Sequence, residues 1–405
     1  MKKRLLMVTW RDIKSPFSGG AELLTHGLLK KLTKDYEITV LTSAYPNCYL
    51  RETIDNITYI RLGSKKNNYV GRYNWRVYFS VFKYWYLHIR NKQHFDVVIE
   101  QINNVPFFYS LYADKDAIIL IHQLCRENWF HQVPKALAWI GYFIFEPLYL
   151  WLLRNKNVIT ISSSTKNELE KYGFKPKNIR IISKGINLQP IESLSKVQKY
   201  PTPTLLSLGD VRPMKRTHHH IQIFELAKEQ IKDLRLIIVG KLGGAYGVQL
   251  LDLIDKTPHR KDIQYSGWIS DSRKSYILSH SHIVLMTSTR EGWGLVVTEA
   301  NSKGTIAAVY DVPGLRDSVV HMQTGIISKP NDMAGMAQCV VGILNNKPLY
   351  KKLQNSAHRE SKKATFTNSC LDFVSAINYF KRAQIAGKDK KQFALSLPKL
   401  QTTKV

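Results

Sequence analysis

The chain is short of acid, of cysteine and of long apolar runs. It carries 31 Asp and Glu against 59 Lys and Arg, a formal charge of +28. That excess excludes a basic target and fits an anionic one: phosphorylated ligands, an anionic membrane face or nucleic acid. The four cysteines, Cys48, Cys125, Cys339 and Cys370, are far apart and match no metal spacing. They predict a reducing compartment and no disulfide framework. The opening MKKRLLMVTW has too short an apolar run for a signal peptide before Arg11 and Asp12, and reads as a first buried strand. The longest apolar stretch, Ala136 to Leu153, is interrupted by Glu146–Pro147. Neither half reaches the roughly 20 residues that cross a bilayer. The expected location is the cytoplasm, with the inner face of the cytoplasmic membrane as a peripheral site. No short repeat is present.

What the sequence does contain is alternation. RLLMVTW, YEITVLTS, ITYIRL, FDVVIEQ, DAIILIHQ, VITISS and IRIISK are short runs apolar on both faces, separated by helical patterns such as AELLTHGLLKKLTK. This is the pattern of a parallel sheet covered by helices. A polar, Pro-containing stretch follows, INLQPIESLSKVQKYPTPT. The alternation then resumes with TLLSLGD, LRLIIVGK, IQYSGW, HIVLMTST, GTIAAVY and TGIISK. At 405 residues, two domains are expected. The first spans 1–185, a linker 186–204, the second 205–366. A helix at about 367–382 is read as crossing back to the first domain, and 383–405 as a loose basic tail. Open parallel sheets bind ligands beyond the carboxyl ends of their strands, so the ligand is expected between the domains.

One stretch stands out chemically. In TREGWGLVVTEANSKG, Glu291 and Glu299 bracket a glycine turn that follows an apolar strand. Gly292 and Gly294 allow close backbone approach at a helix start, where amides favour phosphate. A carboxylate beside them can accept hydrogen bonds from paired hydroxyls, as a sugar or ribose presents. Alone, such a pair is more often a loop acid and a solvated helix residue.

The pair is not alone. EGWGLVVTEA, with SGGAE (18–22), VITISSSTKNELEKYG, LGDVRPMKR, LIIVG, SGWIS and DVPGLRDSV in order, strongly resembles glycosyltransferase family 4 over most of the chain. The resemblance implies an α/β GT-B fold: two Rossmann-like domains whose parallel sheets face across an interdomain cleft. It implies retaining transfer from a nucleoside diphosphate sugar. It places Glu291 near the donor sugar and Glu299 on the ribose hydroxyls. It puts Gly294, Leu295 and Val296 amides on the diphosphate or sugar, with Gly292 in the same turn. Lys215 is the main cation on the diphosphate and a catalytic residue. Arg212 stands in where the family often has arginine at the position held here by Asp210. His122, at a strand end, is expected near the sugar and acceptor, and Gly19 and Gly20 approach the diphosphate. Trp268 falls on the loop that meets the nucleobase, where a packing role competes. No metal or other cofactor is implied, because lysine, arginine and a helix dipole answer the diphosphate charge. A non-catalytic nucleotide-sugar or glycan-binding protein of the same fold is the alternative. Nucleic acid is excluded as a partner, since charge is its only support.

From Asn56 to Phe95 there is no acid, and Arg72, Arg76, Lys83 and Arg90 fall on one helical stripe amid Trp, Tyr and Phe. A solvated face with core aromatics competes with an interfacial helix on an anionic membrane, and the latter is expected. The acceptor is accordingly expected to be lipid-linked or a surface glycan.

Overall fold

The structure is a computed structural model; it describes residues 2–65 and 75–396, with side chains to 386. The apolar runs form two sheets. The first contains β1 (Lys3–Val8), β2 (Tyr36–Ser43), β3 (Arg51–Ile54), β4 (Ile57–Leu62), β5 (Val97–Ile102), β6 (Ile118–Ile121), β7 (Val158–Thr160) and β8 (Ile179–Ile181). Their order is β3-β4-β2-β1-β5-β6-β7-β8. All pairs are parallel except β3 with β4. β3 was not expected. Its RETI sequence has no apolar alternation, but Asp55 and Asn56 both take positive φ (51° and 63°) and close a tight hairpin.

The second sheet contains β9 (Thr204–Leu208), β10 (Arg235–Val239), β11 (Ile263–Tyr265), β12 (Ile283–Met286), β13 (Ile306–Tyr310) and β14 (Gly325–Ser328). Its order, β11-β10-β9-β12-β13-β14, reverses direction between β9 and β12. That is where an open sheet leaves a crevice.

Strand parity decides what covers each face. In the first sheet Leu5, Met7, Ile99, Ile118 and Leu120 pack beneath helix Gly20–Leu32 and the C-terminal helix, which supplies Phe373, Ile377 and Phe380. On the opposite face Leu6, Val8 and Val98 pack with Val77 and Val81 of helix Arg76–Tyr84, and Ile119, Ile121 and Val158 with Leu150 and Leu153. The C-terminal helix runs Phe366–Ser396. The backbone is therefore helical where a loose tail was expected from 383; residues 397–405 lie outside those described.

A second correction concerns Glu146–Pro147. The helix does not break there but continues as Lys135–Leu153. Proline has no N–H to donate. Residues Gly141–Phe145 widen into a π turn, with the Glu146 N–H donating to the Gly141 carbonyl, and Pro147 then sits in the first turn of Glu146–Leu153. The Glu146 carboxylate is buried and accepts from the Cys125 and Arg126 amides and Trp129 Nε1 at 2.7, 2.8 and 3.0 Å. This helix has the length and apolarity to cross a membrane, but Tyr149, Leu150 and Leu153 are buried against the sheet.

The basic stripe is also altered. Helix Arg76–Tyr84 passes into a π turn at Trp85–Ile89, and Arg90 lies beyond it in a turn, with φ −51° and ψ 122°. Arg76, Lys83 and Arg90 are exposed. Arg72 lies outside the described residues.

Candidate active site

A cleft of about 580 Å³ opens between the two sheets, lined by the carboxyl-end loops of both. β1 leads to Arg11, β6 to His122, β9 to Arg212 and Lys215, and β12 to Arg290, Glu291 and Gly292; each lines the cleft.

Lys215 reaches Glu291 because their loops are laced together. The Thr287 hydroxyl, at the end of β12, donates to the Lys215 and Arg216 carbonyls at 3.1 and 3.0 Å. The Thr289 amide donates to the Met214 carbonyl. Lys215 Nζ then pairs with Glu291 Oε1, which also accepts from Ser288 Oγ at 2.7 Å. From the other side Gly314 seats the Glu291 turn: its φ is 83°, and a Cβ there would lie 2.1 Å from the Glu291 carbonyl oxygen. Only glycine fits that approach.

Helix Leu295–Ser302 starts from Gly294 in the left-handed region, φ 84°. The amides of Leu295 and Val296 belong to its first turn, where no residue of the helix can accept them. Glu299 follows one turn later. Burial pushes its pKa up, while Lys274 at 2.8 Å favours the charged form. Arg212 points into the cleft beside Asp210, whose carboxylate is 3.8 Å from its guanidinium.

The first domain faces these groups with one guanidinium, Arg11, and with His122 and a glycine turn. His122 is buried, and burial lowers its pKa to about 4. Its Nε2 lies 3.3 Å from Thr25 Oγ1, and among the described residues its Nδ1 has no hydrogen-bond partner. Gly19 and Gly20 line the cleft, with Gly20 against Leu295 of the other domain. The Gly19 amide donates to Glu22 Oε2 at 2.8 Å, and burial raises the pKa of that glutamate.

Gly19, Gly20, His122, Arg212, Lys215, Glu291 and Gly292 thus meet in one cleft. Gly294, Leu295, Val296 and Glu299 continue from it along one helix. Trp268 does not join them: it is 69% exposed after β11 and does not line the cleft. Among the described residues no group of His, Cys, Asp and Glu could hold a metal ion. The chain's one Asp-x-Asp, Asp114–Asp116, lies in the turn before β6, at the opposite end of that strand from His122.

Arg11 and three other neighbours were missed. Glu22 ends the SGGAE stretch, and its position was the available signal. Lys274 lies 25 residues from Glu299 on another helix and left no signal. Arg290 directly precedes Glu291. Its guanidinium crosses the domain boundary, donating to Glu168 at 2.6 and 2.8 Å and to Glu127 at 2.9 Å. Ser164 N–H to Asp317 Oδ1 at 3.0 Å and Lys184 over the Trp293 ring at 3.3 Å add to the seam.

Comparison with known proteins gives the family and the fold. Residues 18–190 match the model of Glycosyltransferase Family 4, and 192–360 that of Glycosyl transferases group 1. Glycogen synthase of Mycobacterium tuberculosis is 26% identical over 198 residues, 48% of this chain and 47% of that protein. The O-antigen chain mannosyltransferase B of Escherichia coli is 22% identical over 260 residues, 61% of this chain and 66% of its own. The alignments span about half to two thirds of these relatives. The structure of Anabaena Alr3699/HepE in complex with UDP and glucose superimposes with a TM-score of 0.68 at 13% identity, covering 93% of this chain and 99% of that one. Two domain-sized family matches in sequence order, on a GT-B fold, identify the chain as a member of the group 1, family 4 glycosyltransferases.

Proposed function

We propose that this protein is a retaining, metal-independent hexosyltransferase, taking a hexose from a nucleoside diphosphate sugar to a hydroxyl of a lipid-linked or surface-glycan acceptor. The observation that carries the reading is the Lys215–Glu291–Ser288 cluster facing neutral His122 across the cleft. When a donor enters, Lys215 exchanges a carboxylate for the diphosphate and leaves Glu291 towards the sugar. As the bond from C1 to the phosphate oxygen breaks, negative charge grows on the leaving diphosphate. Lys215, Arg212 and the amides at Leu295 and Val296 stabilise it, without a metal. Positive charge grows at C1, which the Glu291 carboxylate stabilises. The acceptor oxygen attacks from the face the diphosphate leaves, and its proton passes to a phosphate oxygen of the leaving nucleotide. His122, uncharged, hydrogen-bonds a sugar hydroxyl without adding a charge that opposes the one at C1.

Two similarities support the substrate classes. A protein of like fold holds UDP and glucose, and a relative is an O-antigen chain mannosyltransferase. The exposed Arg76, Lys83 and Arg90 support peripheral binding at the inner face of the cytoplasmic membrane. A panel of UDP-, GDP- and ADP-sugars, read by thermal shift and then by donor turnover in excess EDTA, tests the proposal. One donor class should raise the melting temperature and turn over with EDTA present. Glu299→Ala should raise KM and Glu291→Ala lower kcat, because ribose contacts exist before the bond breaks. Turnover only with added manganese or magnesium contradicts the metal-free mechanism; unchanged kinetics in both variants reject the site.

A further inference from the structure

One feature that the cleft does not use is the outer face of helix Lys135–Leu153. Leu137, Ile140, Ile144, Leu148 and Trp151 recur every three or four residues along it and are all exposed, Ile144 to 61%. This is an apolar ridge on the outside of a helix whose inner face is already satisfied by the sheet. Trp139 stacks on Phe143 with ring centroids 4.7 Å apart, and both are more than half exposed. An amphipathic helix of a globular domain normally turns charge to solvent on this side.

Charge identifies the occupant. Between 130 and 156 the only acid is Glu146, which is buried and consumed by internal hydrogen bonds; Lys135, Arg154 and Lys156 are the cations. Helix Arg76–Tyr84 covers the same face of the first sheet. It exposes Phe79 to 70%, and the described residues from 75 to 95 include no acid. The two helices are joined through Tyr78 and Val133, which pack into both neighbouring core clusters. The two segments are therefore apolar and basic, and neither exposes a carboxylate, although Asp114 and Asp116 act on Lys156 from the turn before β6. A second copy would bring the same cations and no counter-charge. An anionic bilayer supplies both an apolar interior and the opposite charge, with tryptophan suited to its boundary.

We propose that helix Lys135–Leu153 lies in the plane of an anionic lipid bilayer with this ridge inserted, not spanning it. The placement bears on the cleft. His131 and Gln132 line the cleft, and only Val133 and Pro134 separate them from the ridge helix. Phe130 is exposed and meets the Trp139 ring edge-on, at 5.9 Å. The cleft mouth thus adjoins the membrane surface, where a bilayer-anchored acceptor presents its hydroxyl. That last clause rests on the proposed transfer reaction; the lipid contact itself does not.

Vesicle flotation of the full-length protein tests the contact. Phosphatidylcholine vesicles with one third phosphatidylglycerol should bind the protein at least tenfold more tightly than phosphatidylcholine alone. Changing Leu137, Ile140, Ile144 and Leu148 together to serine should weaken that binding more than tenfold while the melting curve and nucleotide-sugar thermal shift stay unchanged. On the unaltered protein, lipids brominated in the acyl chain should quench tryptophan fluorescence, and Trp139→Phe should remove part of that quenching. Equal vesicle binding by the serine variant, no quenching, or a dimer that the serine changes dissociate without any vesicle binding by the wild type overturns the inference. Vesicle binding without turnover of any nucleotide-sugar would sustain the lipid contact and reject the proposed reaction instead.

Discussion

The two domains share one architecture and differ in what they show to solvent. In the second domain, large exposed apolar side chains are fewer and spread over several elements: Val248 and Tyr276 on two different helices, Leu242 and Trp268 on two loops, and Val320 and Met322 in one turn. In the first domain they are concentrated on the two helices over one sheet face. Scattered apolar residues are normal on any surface, whereas a contiguous patch marks an interaction. The same basic chain therefore uses its charge in two ways. The second domain holds Lys215 and Lys274 against partly buried glutamates, in and beside a small cleft. The first spreads Arg76, Lys83, Lys135 and Arg154 along an apolar face. The sum of +28 could not separate these uses; position in the fold does.

The sharpest way to break this comparison is at Lys215. Lys215→Ala removes the cation and leaves the Glu291 carboxylate facing the donor diphosphate. Loss of a single charge-stabilising group of this kind costs roughly 100- to 1000-fold in turnover. Steady-state kinetics should show that loss in kcat/KM, and flotation should show vesicle binding unchanged. A parallel loss of vesicle binding would mean that the two domains do not divide the charge.

Acid should separate the domains next. In the second domain burial lowers the pKa of His219 to about 4, His220 to about 3 and His282 to about 4. These histidines stay neutral when folded but take up protons below about pH 6.5 when unfolded. The unfolded state then binds more protons, so their stabilisation is complete above pH 6.5 and is lost as pH falls towards 4. Each contributes about 1 kcal/mol between pH 6.5 and 5.5, roughly 3 kcal/mol together. Burial raises the pKa of Glu299 in the second domain and of Glu22, Glu100 and Glu146 in the first, a direction that favours the folded state as pH falls. In the first domain that opposes the loss from His122. Hydrogen exchange at pH 7 and 5.5, corrected for intrinsic rates, should show β9–β14 losing more protection than β1–β8. Equal losses would reject the asymmetry.

What was legible in the sequence follows the same division. Strands buried on both faces read clearly, because burial dictates unbroken apolar runs, and the order of motifs carried the family. β3 did not read, since a polar edge hairpin depends on a two-residue turn more than on its own strand. The Lys135–Leu153 helix was hidden by Pro147, whose missing donor is absorbed by a π turn that no periodicity announces. The Lys215–Glu291 contact was implied as two separate motifs. Their direct pairing depends on hydrogen bonds from Thr287 and Thr289, residues with no chemistry of their own in the motif.

Arg290 was missed although it sits beside Glu291 in the motif, and it joins the two halves of the comparison. Its partners lie 122 and 163 residues away, on the other domain. It is 5% exposed, and its fork meets Glu168 with two parallel hydrogen bonds, a geometry lysine cannot reproduce. Because it directly precedes Glu291, this clamp holds the Glu291 turn against the first domain. Closure in turn sets how often the Lys215 side of the cleft faces His122. Arg290→Met keeps much of the buried bulk and removes the charge. With Glu127 44% exposed and open to rehydration, the cost should be modest. We expect about a tenfold fall in kcat/KM, near 1.4 kcal/mol, because fewer molecules occupy the closed cleft. Small-angle scattering should show a larger radius of gyration for the variant without donor and a return towards the wild-type value with donor bound. Arg290→Lys should recover only part of the activity, since one ammonium cannot answer both carboxylates in the plane of the fork. If Arg290→Met lowers turnover equally but leaves the scattering unchanged, Arg290 acts on Glu291 locally, and the domains are held together by the Trp293 and Asp317 contacts instead.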